Sequence, residues 1–378
     1  MRIALFSETF LPQRNGVALI LDRLVGHLTE QGHEVILAVP VSWRPRGDAP
    51  VRPGVRVVRV SGVPLPRYPD LTLALPLSPR VVRAVADFRP DVIHLVTEYS
   101  LGLTGLQSAI ATGIPAIASF HTNIPRYLPY YGFGWANEWC WQYLRWFHNQ
   151  AAMTFCPSET NRRELIERGF RNVRVWPRGV DTARFAPAHP AVAHNGGDDG
   201  TGALRLLYVG RLTPEKDLPV LFDAYERLRG NLGLPLQLTL VGDGAYTGVM
   251  RARAPRDVTF AGYLEGRSLS DAYAAADVFV FPSRSETLGN VVLEALASGL
   301  PVVGVRDGGT LENVRDGENG ILCEPGNPDA FAAGIRRLAE DVPLRQRMAR
   351  NARAWAEART WDAAFAPLTG AYEELARR

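Results

Sequence analysis

The chain has 378 residues, 46% of them hydrophobic and 21% charged, with 42 basic against 39 acidic residues and a net charge of +3. That length exceeds one ordinary core and predicts two domains, while the composition excludes a disordered or fibrous chain. No apolar run reaches the roughly 18 residues of a membrane span. Three cysteines, far apart and odd in number, argue against a disulfide framework or a zinc site.

The opening stretch "MRIALFSETFLPQRNG" carries only a short apolar run, Ile3–Phe6, before Glu8. It is too short and too early interrupted for a signal peptide, so the expected compartment is the reducing cytosol. From there the first half alternates apolar runs with amphipathic stretches: "RIALF", "EVILAVP", "VRVVRV", "DVIHLV", "AIASF", "MTFCP" and "VRVWP". Runs of about five residues, apolar throughout, fit parallel strands covered on both faces. Cys156 in "MTFCP" is expected to be a buried strand residue. The stretch "SWRPRGDAPVRPGVRVVR" (42–59) holds five arginines, a basic segment suited to an anionic surface.

Between the fifth and sixth runs, "RYLPYYGFGWANEWCWQYLRWFHNQ" packs ten aromatics into residues 127–147. Trp135, Trp139, Tyr143 and Trp146 recur at helical spacing and fall on one face. Two readings stay open: that face packs into the core, or it lies at a membrane interface, where Trp and Tyr favour the headgroup level. Nucleic acid is the other partner of a basic chain, but no recognised nucleic-acid motif is present.

"HPAVAHNGGDDGTGA" (189–203) combines four glycines and two aspartates without apolar periodicity, and is the expected linker between domains 1–188 and 204–378. Up to residue 190 the chain carries 21 arginines against 14 acidic residues, net +7; beyond it the net charge is −4. The second half continues with "LRLLYVG", "LQLTLVG", "DVTFAG", "DVFVFP", "PVVGV" and "GILC". The whole predicts an α/β protein of two doubly wound, Rossmann-like domains facing a central cleft, with ligands at the strand carboxyl ends. The last helix is allowed to pack back on the first domain.

One decapeptide stands out. "VGRLTPEKDL" (209–218) holds the sole lysine, Lys216; the other 41 basic residues are arginine. With a strand at 204–209 and a helix from about Pro214 to Arg229, Arg211 and Lys216 both sit at the strand's carboxyl end and the helix's first turn. Two cations there suit an anion, and lysine's compact head fits a crowded phosphate where arginine's planar fork does not. Chance retention of one lysine is the competing explanation.

The second constellation is "PSRSETLGNVVLEALASGLPVV" (282–303), with Glu286 in a loop and Glu294 on a helix beginning near Leu288–Gly289. Eight helical residues at 1.5 Å rise separate the two carboxylates by roughly 12 Å, too far for the ~5–9.5 Å of a glycoside hydrolase. They are better placed to hold two parts of one long ligand, with "LGN" offering backbone N–H groups at a helix start. No G-x-G-x-x-G follows the first strand, which disfavours a dinucleotide oxidoreductase. No Asp-x-Asp follows a strand either, and Asp198–Asp199 lies in the linker, so no metal and no cofactor is expected.

With "ETLGNVVLE", "LPQRNGV", "SFHTNIPRYLPYYG", "WPRGVD", "VGRLTPEK", "VGDG", "SGLPVV" and "GENGIL" in this order, the chain resembles the retaining family-4 glycosyltransferases of the GT-B fold. The "HTN-P-Y--YYG" segment is similar to lipid-glycosylating branches, including mannosyl- and sulfoquinovosyltransferases. The resemblance implies that Arg211 and Lys216 clamp a donor diphosphate, Glu294 bonds the ribose, and Glu286 holds sugar hydroxyls. It further implies backbone contacts from Leu288, Gly289 and Asn290, close approach at Gly16, Leu264 beside the base, and His121 beside the reacting sugar. Arg178 in "WPRGVD" is explained equally well by an ion pair. Arg267 is only a candidate for a basic residue that some relatives carry after the base-binding turn. The function so implied is metal-independent transfer of a hexosyl group, mannosyl or glucosyl, to a hydroxyl of a lipid or glycan acceptor, at the cytoplasmic face of an anionic membrane. An epimerase acting on nucleotide sugars and a non-catalytic nucleotide-sugar sensor are the alternatives.

Overall fold

The computed structural model describes residues 1–13, 15–41, 52–65, 68–75, 78–187 and 202–377. Most of the glycine-rich stretch expected as a linker, and most of the arginine-rich segment from residue 42, lie outside the described residues. Two compact units make up the chain. The first comprises Met1–Pro125, Trp135–Pro177 and Phe365–Arg378; the second comprises Arg126–Gly134 and Arg178–Ala364.

In the first unit the apolar runs become β1 (Arg2–Phe6), β2 (Glu34–Pro40) and β3 (Val55–Val60), then a hairpin of β4 (Gly62–Leu65) and β5 (Tyr68–Ala74). There follow β6 (Val92–Leu95), β7 (Ala116–Ser119), β8 (Met153–Cys156) and β9 (Val173–Val175). Seven of these form one parallel sheet in the order β3-β2-β1-β6-β7-β8-β9, with β4 and β5 pairing antiparallel apart from it. β1, β6, β7 and β8 are buried almost without interruption, as strands covered on both faces must be. Cys156 is buried on β8 as expected. The order reverses between β1 and β6, which makes their carboxyl ends the switch point.

The second unit repeats the pattern with β10 (Leu204–Val209), β11 (Leu236–Val241), β12 (Thr259–Gly262), β13 (Val278–Phe281), β14 (Val302–Val305) and β15 (Gly320–Cys323). All six pair in parallel in the order β12-β11-β10-β13-β14-β15, so the switch point lies between β10 and β13. One glycine is dictated by backbone crowding: a Cβ on Gly242, which has φ +135°, would fall 1.9 Å from the Gly210 carbonyl oxygen. The glycines of "VGDG" thus let the loop after β11 lie against the loop after β10.

Helices cover both sheets. In the first unit, the helix Asn137–Asn149 buries Trp141, Leu144, Phe147 and His148. Its opposite face, begun one turn earlier by Trp135, exposes Trp135 (77%), Trp139 (74%), Tyr143 and Trp146. The four aromatics do share a face, but it points to solvent; the core-facing alternative is corrected. The core needs only the other stripe, and that stripe is already filled. The closing helix, Trp361–Ala376, completes the first unit with its later residues: the Tyr372 hydroxyl lies 2.6 Å from His94 Nδ1, whose Nε2 meets Ser119 at 2.7 Å. Burial pushes the His94 imidazole down to about 3, so it stays neutral between its two hydroxyl partners. Among the described residues no helix is long and apolar enough to cross a membrane.

Candidate active site

The site is built where the second sheet reverses. β10 delivers Gly210 and Arg211, and the chain then makes a 3-10 turn, Pro214–Lys216. Asp217 follows in the left-handed region (φ +51°), and only then does the α-helix Leu218–Leu228 begin. Lys216 therefore ends a tight turn before the helix rather than occupying its first turn, a correction to the sequence expectation. Pro219, fixed near the start of the helix, and the left-handed Asp217 set that break.

β13 delivers Pro282 through Gly289. Gly289 has φ +77° and precedes the helix Asn290–Ala297, a conformation that costs side-chain-bearing residues energy. The loop is pinned by its neighbours: Gly309 N–H donates to the Glu286 carbonyl (2.7 Å), and Asn313 Nδ2 donates to the Leu288 carbonyl (2.7 Å).

Across the switch point the two loops meet in ion pairs, Lys216 with Glu286 and Arg284 with Asp217. The Lys216 ammonium donates to Glu286 Oε1, and Ser283 Oγ donates to the same oxygen at 3.1 Å. Lys216 is only 4% exposed. Burial alone would raise the Glu286 carboxyl, but the Lys216 charge and hydrogen bond, then Arg211 and Ser283, outweigh it and hold the group below its ordinary value. Arg211, half-exposed, reaches Glu215 Oε1 at 3.4 Å, while Glu215 itself is buried and takes a second hydrogen bond from Thr213 (2.7 Å). Each of the two cations is thus aimed by a carboxylate.

Eight residues after Glu286, Glu294 is half-buried on its helix and accepts from the Tyr273 hydroxyl at 3.0 Å. It is not a solvated glutamate. Leu288 is buried, Asn290 is the first helical residue, and Leu264 follows β12, half-buried against the core. Arg178 is buried in the second unit, and Arg267 stands out in solvent, pairing with Asp271 at 3.8 Å. The second unit thus brings Arg211, Lys216, Glu286, Leu288, Gly289 and Asn290 onto two adjacent loops.

In the first unit, His121 follows β7 with its ring edge-on to Trp176, 5.5 Å between centroids. Gly16 opens the helix Gly16–Glu30, capped by Asn15 Oδ1 accepting from Ala18 N–H. The sequence reading missed two carboxylates at this unit's own switch point. Glu8, after β1, accepts from Leu101 N–H, the Thr97 hydroxyl and Ser100 Oγ (2.9 Å), tying β1 to the start of a helix. Glu98, after β6, is buried beside it. Their signal was an acid within three residues of the end of an apolar strand run, as in "LFSE" and "HLVTE".

Burial, with a smaller push from the Glu8 charge, moves the Glu98 carboxyl up to about 8 from 4.5. Between those values the unfolded chain releases a proton that the folded chain keeps, so stability falls as pH rises from about 5 to about 8. Glu98→Gln removes this loss. The melting-temperature gap between variant and wild type is expected to widen in the variant's favour from pH 5 to pH 8.5; a constant gap would show Glu98 ionised in the fold.

Two family models match the chain: "Glycosyltransferase Family 4" over residues 14–184 and "Glycosyl transferases group 1" over residues 199–355. A GDP-mannose-dependent alpha-mannosyltransferase of Mycolicibacterium smegmatis is 35% identical over 384 residues, covering 100% of this chain and 98% of that protein. The chain is a family-4 glycosyltransferase. An alpha-monoglucosyldiacylglycerol synthase of Streptococcus pneumoniae is 30% identical over 320 residues, covering 80% of this chain and 70% of that protein. The transferase also shares its fold with the sucrose-phosphate synthase of Thermosynechococcus elongatus, at a TM-score of 0.80, 22% identity, and 99% and 98% coverage. It is a GT-B hexosyltransferase that draws its sugar from a nucleotide donor and retains the anomeric configuration. Family membership sets aside the epimerase and the non-catalytic sensor.

Proposed function

We propose that this transferase moves a mannosyl or glucosyl group from a nucleoside diphosphate sugar to a hydroxyl of a lipid or glycolipid, without a metal. The observation that carries the reading is the buried Lys216–Glu286 pair spanning the β10/β13 switch point, flanked by Arg211. A departing diphosphate gains negative charge, and preorganised cations beside it lower the barrier in the way a metal otherwise does. Glu286 holds hydroxyls of the transferred sugar, with backbone support from Leu288, Gly289 and Asn290. Glu294 holds the ribose, and Leu264 lies by the base. Of the first unit's residues, His121 is assigned to the reacting sugar and Gly16 to the diphosphate. Retention follows if the acceptor oxygen attacks the anomeric carbon on the face the diphosphate leaves, the acceptor proton passing to a phosphate oxygen.

The mannosyl donor is favoured by the likeness to the GDP-mannose-dependent enzyme over the whole chain. The test is transfer from GDP-mannose and from UDP-glucose to diacylglycerol-containing vesicles and to soluble glycans, each with saturating EDTA. The rate with EDTA is expected within about twofold of control. A loss restored by magnesium or manganese would remove the metal-free mechanism, and transfer to soluble glycans alone would remove the lipid acceptor.

Support for a lipid surface comes from the row Trp135, Trp139, Tyr143 and Trp146, exposed along one face of the helix Asn137–Asn149 and the turn before it. Large aromatics left in water along one face mark a contact surface, and Trp and Tyr suit the headgroup level. The transferase is expected to sediment with anionic vesicles at low salt and less at high salt. A Trp139→Ser, Trp146→Ser double variant should lose most of that binding with its melting temperature retained. Equal sedimentation of variant and wild type would sink the assignment of this face.

A further inference from the structure

Residues 126–134 lie in the first half of the sequence, yet they belong to the second unit, and four contacts fasten them there. Arg126 pairs with Asp307 at 3.3 Å, and the Tyr127 hydroxyl donates to the Ser285 carbonyl at 3.2 Å. Arg284 Nη2 donates to the Tyr130 hydroxyl at 3.4 Å, and the Tyr131 hydroxyl donates to Glu215 Oε2 at 3.2 Å. These partners stand on the loops after β10, β13 and β14. A segment held by those three loops runs along the carboxyl edge of the sheet at its switch point, where a ligand of such a sheet binds.

Tyr131 has the most consequential partner. Glu215 is 1% exposed and sits one residue before Lys216. A buried carboxylate that close to a diphosphate repels it unless its charge is matched and turned away. Both oxygens of Glu215 are engaged: Oε1 by Thr213 and Arg211, Oε2 by Tyr131. Donors on both sides fix the plane of the carboxylate, and the carboxylate in turn aims the half-exposed Arg211 head.

We propose that Tyr131 is a positioning residue for the donor diphosphate, holding Glu215 so that Arg211 points at the phosphates. This rests on the assignment of Arg211 to the diphosphate. With the Tyr131 hydroxyl spent on Glu215, its contribution passes through Arg211 and disappears when Arg211 is gone. A residue needed only for the fold would weaken binding by the same factor with or without Arg211.

The experiment is a double-mutant cycle read by calorimetric binding of GDP and of UDP to the full chain. The proteins are wild type, Tyr131→Phe, Arg211→Ala and the double variant, with Tyr130→Phe as a neighbour whose hydroxyl faces Arg284 instead. Whichever diphosphate binds wild type more tightly is used throughout. Tyr131→Phe is expected to weaken binding about fivefold, an indirect share of a charged hydrogen bond, and to have no further effect in Arg211→Ala. Tyr130→Phe is expected to stay within about twofold of wild type. Wild-type affinity in Tyr131→Phe, an equal loss in both backgrounds, or an equal loss in Tyr130→Phe would each overturn the proposal. Arg211→Ala binding as wild type would instead overturn the phosphate assignment beneath it.

Discussion

Lys216→Arg is expected to fold and to lose at least tenfold in kcat/KM. The swap keeps the charge, and on a solvated turn it would be silent. Here the side chain is almost fully enclosed, with its ammonium on Glu286 and Ser283 bonded to the same carboxylate oxygen. Arginine's planar head is longer and must push Glu286 aside or turn away, and neither geometry keeps the contact. Overpacking of this kind costs typically about 1–3 kcal/mol, so a melting temperature lowered by several degrees is compatible with a folded protein. A misplacement of about 1 Å beside the chemistry can cost on the order of a hundredfold in rate. Steady-state kinetics on protein checked by calorimetry decides the matter. Full activity would leave the lone lysine to chance.

Glu286 and Glu294 should fail in different ways. Glu286→Gln strips the counter-ion from a buried ammonium, and breaking one side of such a pair costs about 3–5 kcal/mol where burial is complete. Wild-type Glu286 stays ionised to lower pH than an ordinary glutamate, so at neutral pH the variant loses a full charge beside the reacting centre. Turnover is expected to fall more than donor affinity, together with a lower melting temperature. Glu294 accepts from a neutral partner, the Tyr273 hydroxyl. Glu294→Ala should mainly weaken donor binding, by about 1.5–3 kcal/mol if a charged hydrogen bond to the ribose is lost. Normal nucleoside diphosphate binding by that variant would show the ribose assignment to be wrong.

The strands were legible because fully covered parallel strands write themselves as uninterrupted apolar runs. All thirteen runs picked out by that rule, from "RIALF" to "GILC", are strands of the two sheets. The hairpin of β4 and β5 escaped it, since its segment "GVPLPRYPDLTLA" is broken by prolines and reads as loop. The break at Asp217 was invisible for a different reason: a left-handed aspartate carries no residue signature, whereas the left-handed Gly289 announces itself. Periodicity grouped Trp135, Trp139, Tyr143 and Trp146 on one face but holds no information on which side of a helix the sheet lies. The chemistry-bearing residue types were readable, but their pairings were not. Lys216 and Glu286 are 70 residues apart, and Tyr131 and Glu215 are 84 apart, so only the folded sheet brings them together.

The return of residues 365–377 to the first unit has a consequence for how the protein is made. During synthesis the first seven-stranded sheet leaves the ribosome early, but its last helix is translated only after the entire second unit. Until then His94 has no Tyr372, and Trp176 lacks Phe365, which lies 6.2 Å away, centroid to centroid, in the finished unit. The imidazole is therefore short of one of its two hydroxyl partners, and the indole of one ring neighbour, while the second sheet assembles. Residues 1–187 expressed alone would remain in that waiting state, and a chain cut after residue 364 would enter it permanently. Completion of the first-made unit is thereby tied to the arrival of a helix made after the second unit.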